Sequence, residues 1–210
     1  LLALLAGILL LPLGQRAMAQ DKIDGWGNLK FGMSVDEARA AEPRLDKEVP
    51  VRESSTIESG SRKKLKSSAP VEIAGRKYKI YTTFLVEGVQ DVTRMKRVYL
   101  VWMFSGKERM KKMSIRKCED IFEEHVRMIV KQYGDLQDAE RAFRDSVARG
   151  VDPKKMEVKK TPDGKATYLR ENQIFNSGEF DFTARKIVGK SSITVSGSYM
   201  KNVSCTMHII

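Results

Sequence analysis

Two cysteines constrain this chain more than any other residues. Cys118 lies in SIRKCEDIFEEHVRMIVKQYG, residues 114–134, and Cys205 lies in NVSCTMHII, residues 202–210. In the first segment Cys118, Ile121, Phe122, His125, Val126, Ile129, Val130 and Tyr133 recur at three- and four-residue spacing, which predicts one apolar stripe on a helix. Ser114 can cap that helix and Gly134 can end it. The second segment alternates, which predicts a strand with Val203, Cys205 and Met207 on one face. A helix packed over that strand would bring the two sulfurs together. The resulting bridge would close a loop of about 87 residues, worth roughly 4–5 kcal/mol in the chain-entropy description. Two separate buried thiols are the alternative.

The first residues bear on that choice. LLALLAGILLLPLGQRAMA is apolar until Arg16 and closes on the small-residue site Ala17-Met18-Ala19. This pattern predicts a signal peptide over residues 1–19, cut before Gln20. It lacks a basic start, so the true N-terminus is expected upstream. An uncleaved membrane anchor is the other reading, although the run is short of the roughly 20 residues a span needs. Export leads to an oxidising compartment, periplasmic or extracellular, where an even cysteine count favours a disulfide. No transmembrane span is expected in the remaining chain.

Charge narrows the partners. Lys and Arg number 38 against 27 Asp and Glu, and removal of Arg16 with the leader changes the net charge from +11 to +10. A chain of this sign is drawn to anionic surfaces. The expected partner is a macromolecule of unknown identity, either an acidic protein or an anionic envelope component. Export argues against nucleic acid.

The rest of the pattern predicts an α+β fold, with helices packed on one face of an antiparallel sheet. Ser34 and Glu37 form a capping box for a short helix that stops near Glu42, ahead of Pro43. Residues 52–70, Ser-rich and charged, read as a loop or hairpin tip. Tyr78, Ile80, Thr82 and Phe84 then alternate, as do Val98, Leu100, Trp102 and Phe104, with turns at Ala74-Gly75-Arg76 and at 87–91. A second helical piece runs over DLQDAERAFRDSVARG. A hairpin turns at Thr161-Pro162-Asp163-Gly164, and three more strands complete the chain. Helix-then-meander order thus occurs twice. It defines two candidate units, 20–105 and 106–210, that form either two lobes or one continuous domain.

Gly32-Met33-Ser34 followed by Asp36-Glu37-Ala38 resembles the helix-opening motif of small secreted bacterial α/β domains. These include the outer-membrane-assembly lipoproteins and the tandem domains of beta-lactamase-inhibitory protein. The Cys-bearing helix ending at Tyr133-Gly134, with a late Cys205, is similar to exported proteins of that style. The resemblance implies a periplasmic, non-catalytic α+β protein. The lipid-attachment cysteine of the lipoproteins has no counterpart here.

Catalytic patterns are sparse. Val188-Gly189-Lys190-Ser191 ends like a phosphate loop, but Ala184 stands where its first glycine belongs. His125 and His208 are the only histidines, and no paired-cysteine or His-x-x-x-His spacing exists, so neither a metal nor a cofactor is expected. His125 reads as a core-edge residue. Glu119, Asp120, Glu123 and Glu124 read as the solvated side of the long helix. Basic residues cluster at 62–66, 107–117 and 153–160, and Arg62, Lys63, Lys64 and Lys66 are the candidate anion-binding residues. The leading expectation is a non-enzymatic binding or accessory protein. The alternatives are a hydrolase of an envelope polymer, with carboxylates the sequence does not single out, and an anionic lipid or polysaccharide binder acting through basic loops.

Overall fold

The computed structural model describes residues 22–49, 62–87, 92–173 and 179–210. The predicted leader, residues 50–61 and the turn at 88–91 lie outside them. A short ribbon of β1 (Gly25–Trp26) and β2 (Leu29–Lys30) precedes α1 (Val35–Ala41). Then come β3 (Lys47–Val49), β4 (Arg62–Lys66), β5 (Val71–Ile73), β6 (Arg76–Glu87) and β7 (Val92–Ser105). The helices α2 (Lys107–Met110), α3 (Ile115–Tyr133) and α4 (Ala139–Ala148) follow. The last strands are β8 (Met156–Lys160), β9 (Thr167–Gln173), β10 (Glu179–Val188), β11 (Ser191–Met200) and β12 (Ser204–Ile209).

The strands from β3 onward pair in the antiparallel order β3-β4-β6-β7-β12-β11-β10-β9-β8, with β5 beside β6. The fold is α+β and dominated by its sheet. Strands before and after α3 meet where β7 pairs with β12, from Leu100 opposite Ile209 to Ser105 opposite Ser204. The β5–β6 hairpin turns on Ala74 and Gly75, both at positive φ, the two-residue geometry that matches strand twist. One bulge interrupts β6–β7: Thr83 faces Arg97 and Phe84 faces Met95, leaving Lys96 as the extra residue.

The helices begin as their sequences dictate. Ser34 Oγ accepts the Glu37 N–H at 3.2 Å, and the Glu37 carboxylate accepts the Ser34 N–H at 2.7 Å. Ser114 Oγ accepts the Lys117 N–H, and Gly134 ends α3 at φ 77° with its N–H on the Val130 carbonyl. Cys118 and Cys205 form a disulfide with Cα atoms 6.0 Å apart, and both are fully buried. Beside it the Phe122 ring lies 5.4 Å from Phe182 and 5.2 Å from Tyr168. Gly197 makes this close approach of α3 to the sheet possible. A Cβ there would sit 2.8 Å from Met207 Sδ and 3.3 Å from the Phe122 ring.

Three expectations need correction. RKKLK is neither loop nor hairpin tip: it is β4, paired to β3 on one side and β6 on the other. Its Leu65 enters the core, and that burial is what a charged run conceals. Val203 does not share the face of Cys205. It stands 52% exposed after a turn in which Asn202 takes a φ of 63°.

The third correction concerns the faces. Phe182 and Ala184 on β10, Tyr168 on β9 and Val195 on β11 point to α3, and α1 packs on that same core. Alternate residues point the other way, and α4 lies over these: Ser146 bonds to Glu171, and Asp145 pairs with Arg185. The chain changes sides at 136–138. Leu136 pairs with Ala166 at the start of β9, while Asp138 bonds to the Arg185 carbonyl and the Ile187 N–H of β10. This segment passes between the strand ends, and α4 emerges on the opposite face.

Candidate functional site

Among the described residues, α4 packs on the face opposite α3 chiefly over β9 and β10. Elsewhere the outward residues of this bare face are mainly basic, hydroxylic or aromatic, with Val49, Val101 and Met103 among them. Lys47 on β3 stands directly opposite Lys66 on β4, and Lys64 lies two residues before Lys66. Like charges opposed across a ladder are unfavourable, although lysines on an edge strand such as β3 also discourage pairing with another chain. The Lys66 ammonium lies 5.6 Å from the centre of the Tyr81 ring, and Tyr81 pairs with Tyr99 on β7. Lys77 and Lys79 alternate with buried Tyr78 and Ile80, and so point outward. Arg97 continues the band, with its guanidinium 3.4 Å from the Tyr99 hydroxyl. Among the described residues, the outward positions of β3, β4, β7, β11 and β12 hold no carboxylate.

The band ends in a groove of about 740 Å³ between α4 and the bulge at Lys96. Its floor is made by Thr183 and Arg185 of β10 and Ser192, Thr194 and Ser196 of β11. Arg149 at the end of α4, Lys190 in the β10–β11 turn and Arg97 stand around it. Asp145 is the acid among its lining residues, and it is engaged at 2.5 Å by Arg185. A guanidinium has five N–H donors, so one ion pair leaves Arg185 with donors to spare. His208 shares the bare face beside Ser196, and burial holds its imidazole below the ordinary value.

Of the residues predicted to bind anions, Lys64 and Lys66 fall on this bare face. Arg62 and Lys63 hold β4 positions opposite Leu85 and Phe84. The three basic clusters are not brought together. In the second, Met110 and Met113 are buried and Arg109 stacks on Phe104 at 4.4 Å, so it anchors the approach to α3. The third lies on β8, seven strand spacings from β4, roughly 34 Å. Its Lys159 is held by Glu119 at 3.2 Å. Arg97, Arg149 and Arg185 fall outside the three basic clusters of the sequence, and Lys190 stands out there only as part of the incomplete phosphate loop. The signal available was the alternation of hydroxyls at 192, 194, 196 and 198.

The carboxylates have structural occupations. Glu119 and Glu123 are not the solvated side of α3. The single Tyr168 O–H lies within hydrogen-bond reach of both, at 3.0 and 2.9 Å, and they pair with Lys159 and Arg127. Burial, then these carboxylates, pushes the Tyr168 phenol up. Glu124 pairs with Arg76. Glu171 and Asp181 oppose each other on β9 and β10, as a hydrolytic pair would, but Glu171 is 1% exposed beneath α4 and held by Ser146 and Arg149. Burial, and then the Glu171 charge, raises the Asp181 carboxyl above its usual range. Among the described residues no group of three His, Cys, Asp or Glu could hold a metal ion.

His125 is core rather than core edge. It is 2% exposed, with Nδ1 2.7 Å from the Ile121 carbonyl and Nε2 2.9 Å from the Tyr78 hydroxyl. The neutral tautomer satisfies both contacts, donating from Nδ1 and accepting at Nε2. Burial lowers its pKa to about 4 from 6.5, with nearby Arg76 acting in the same direction. The unfolded chain therefore takes up a proton that the fold refuses. The contribution is whole above pH 6.5 and is lost as pH falls to about 4, roughly 3 kcal/mol in all. Urea melts of the parent and His125→Gln between pH 4 and 7 test this. The parent is expected to lose stability relative to the variant on acidification, and a constant difference would refute the assignment.

No protein-family model, curated protein or solved structure matches the chain. Among the described residues no helix is long and apolar enough to cross a membrane.

Proposed function

We propose that this chain is an exported, non-catalytic binding protein that uses the bare sheet face to hold an anionic partner outside the cytosol. One observation carries the reading: the Lys47–Lys66 opposition continues through Lys64, Lys79 and Arg97 without an outward carboxylate on β3, β4 or β7 among the described residues. Charges arranged against each other cost folding stability, and an anionic partner would relieve that cost. The signal-peptide pattern and the disulfide support export to the periplasm or beyond. The non-catalytic reading is supported by the burial of Glu171 under α4 and by the ion pairs of Glu119 and Glu123.

The test is binding of the oxidised protein to dextran sulfate, with neutral dextran as control. Affinity is expected to fall steeply between about 50 and 200 mM salt, because exposed charges are screened over about 10 Å or less. The triple variant Lys64→Glu, Lys66→Glu, Arg97→Glu should bind at least about tenfold more weakly. Equal affinity of parent and variant, or indifference to salt, would remove the bare face as the binding surface.

A further inference from the structure

We infer that the groove between α4 and the β7 bulge is a binding site for a strand of acidic polysaccharide, its carboxylates or sulfates taken by arginines and its ring hydroxyls by the β11 hydroxyl row. This rests on the anion-binding reading of the bare face and adds a place and a ligand class.

Three features select the occupant. The first is the floor. Ser192, Thr194 and Ser196 point outward from one strand at steps of about 7 Å. Thr183 stands opposite Ser196, and Arg185 opposite Thr194. Such a floor offers neutral donors and acceptors in register with charges, which suits a ligand that carries both hydroxyls and anions along its length. The second is the distribution of charge. Arg97 stands on β7, Arg185 on β10, Lys190 in the β10–β11 turn and Arg149 at the end of α4, so the cations come from four places around the groove instead of one phosphate-sized point. Arginine forks suit planar carboxylates. The third is shape. α4 stands above the floor by about a helix diameter, ~10 Å. A flat bilayer resting on α4 cannot touch Thr194 or Ser196, whereas one extended glycan strand can enter. The volume, 740 Å³, is that of a ligand cleft. Nucleic acid fits less well, since stacking rings are wanted along its path and the lining aromatic is Phe31, at one margin.

The experiment measures binding of the oxidised protein to an oligogalacturonate, to inorganic polyphosphate, and to vesicles of phosphatidylglycerol. It compares the parent, Thr194→Val with Ser196→Ala, and Lys190→Glu, after circular dichroism and urea melts confirm that each variant is folded. The parent should bind oligogalacturonate. The hydroxyl variant, whose charge is unchanged, should lose about tenfold for oligogalacturonate and keep its affinity for polyphosphate. Lys190→Glu should weaken both. The glycan assignment is overturned if the hydroxyl variant binds oligogalacturonate like the parent. It is equally overturned if vesicles or polyphosphate bind while oligogalacturonate does not, which leaves the anion-binding reading standing. If no anionic probe binds, both readings fall together.

Discussion

Breaking the Cys118–Cys205 bond is expected to lower the unfolding free energy by roughly 4–5 kcal/mol. The bridge spans 87 residues and ties α3 to β12. In the unfolded chain it forbids all conformations in which those residues drift apart, so its removal mainly enlarges the unfolded ensemble. Domains of this size have about 5–15 kcal/mol in total, so the reduced protein should be marginal. Urea melts with and without reductant, and of Cys118→Ala with Cys205→Ala, measure the loss. Both should shift the midpoint by a similar amount. A shift worth under about 1 kcal/mol would mean that the reduced chain already holds these segments together. The consequence reaches function: chain retained in a reducing compartment would present its basic face on an unstable scaffold.

Phe122→Ala is expected to cost about 3–5 kcal/mol, the range for removing a large aromatic from a core. The ring is fully buried between Phe182 and Tyr168 and lies above Gly197. Few neighbours can collapse into the space. Phe182 and Tyr168 are fixed on strands, and the Tyr168 hydroxyl is held by Glu119 and Glu123. Val101→Ala, at a half-buried outward position of β7, is the comparison and should cost under about 1 kcal/mol. The denaturant midpoint should fall with little change in slope. Near-equal costs at the two positions would show that α3 does not pack on the sheet through Phe122.

Much of the scaffold could be read from local chemistry. The capping box at Ser34, the stripe of α3, the turns at Ala74-Gly75 and Thr161–Gly164 and the strand alternation each depend on residues close in the chain. The β4 strand was hidden because Leu65, which enters the core, is surrounded by cations that composition reads as a loop. The site was hidden for a different reason. Lys64 and Lys66 come from β4, Arg97 from β7, Arg185 from β10 and Arg149 from α4, and no periodicity links residues that only a sheet makes neighbours.

Helix stripes and strand alternation therefore point to an α+β chain, and the two cysteines made a bridge from α3 to β12 the expectation that the structure meets, since backbone geometry and one covalent bond act over short or specified distances. Tertiary structure decided which face remains bare. That outcome turns on residues 136–138 passing between the ends of β9 and β10, which carries α4 to the far side. Side-chain pattern records only that a residue alternates; strand order and helix placement settle whether the outward row meets another element or water.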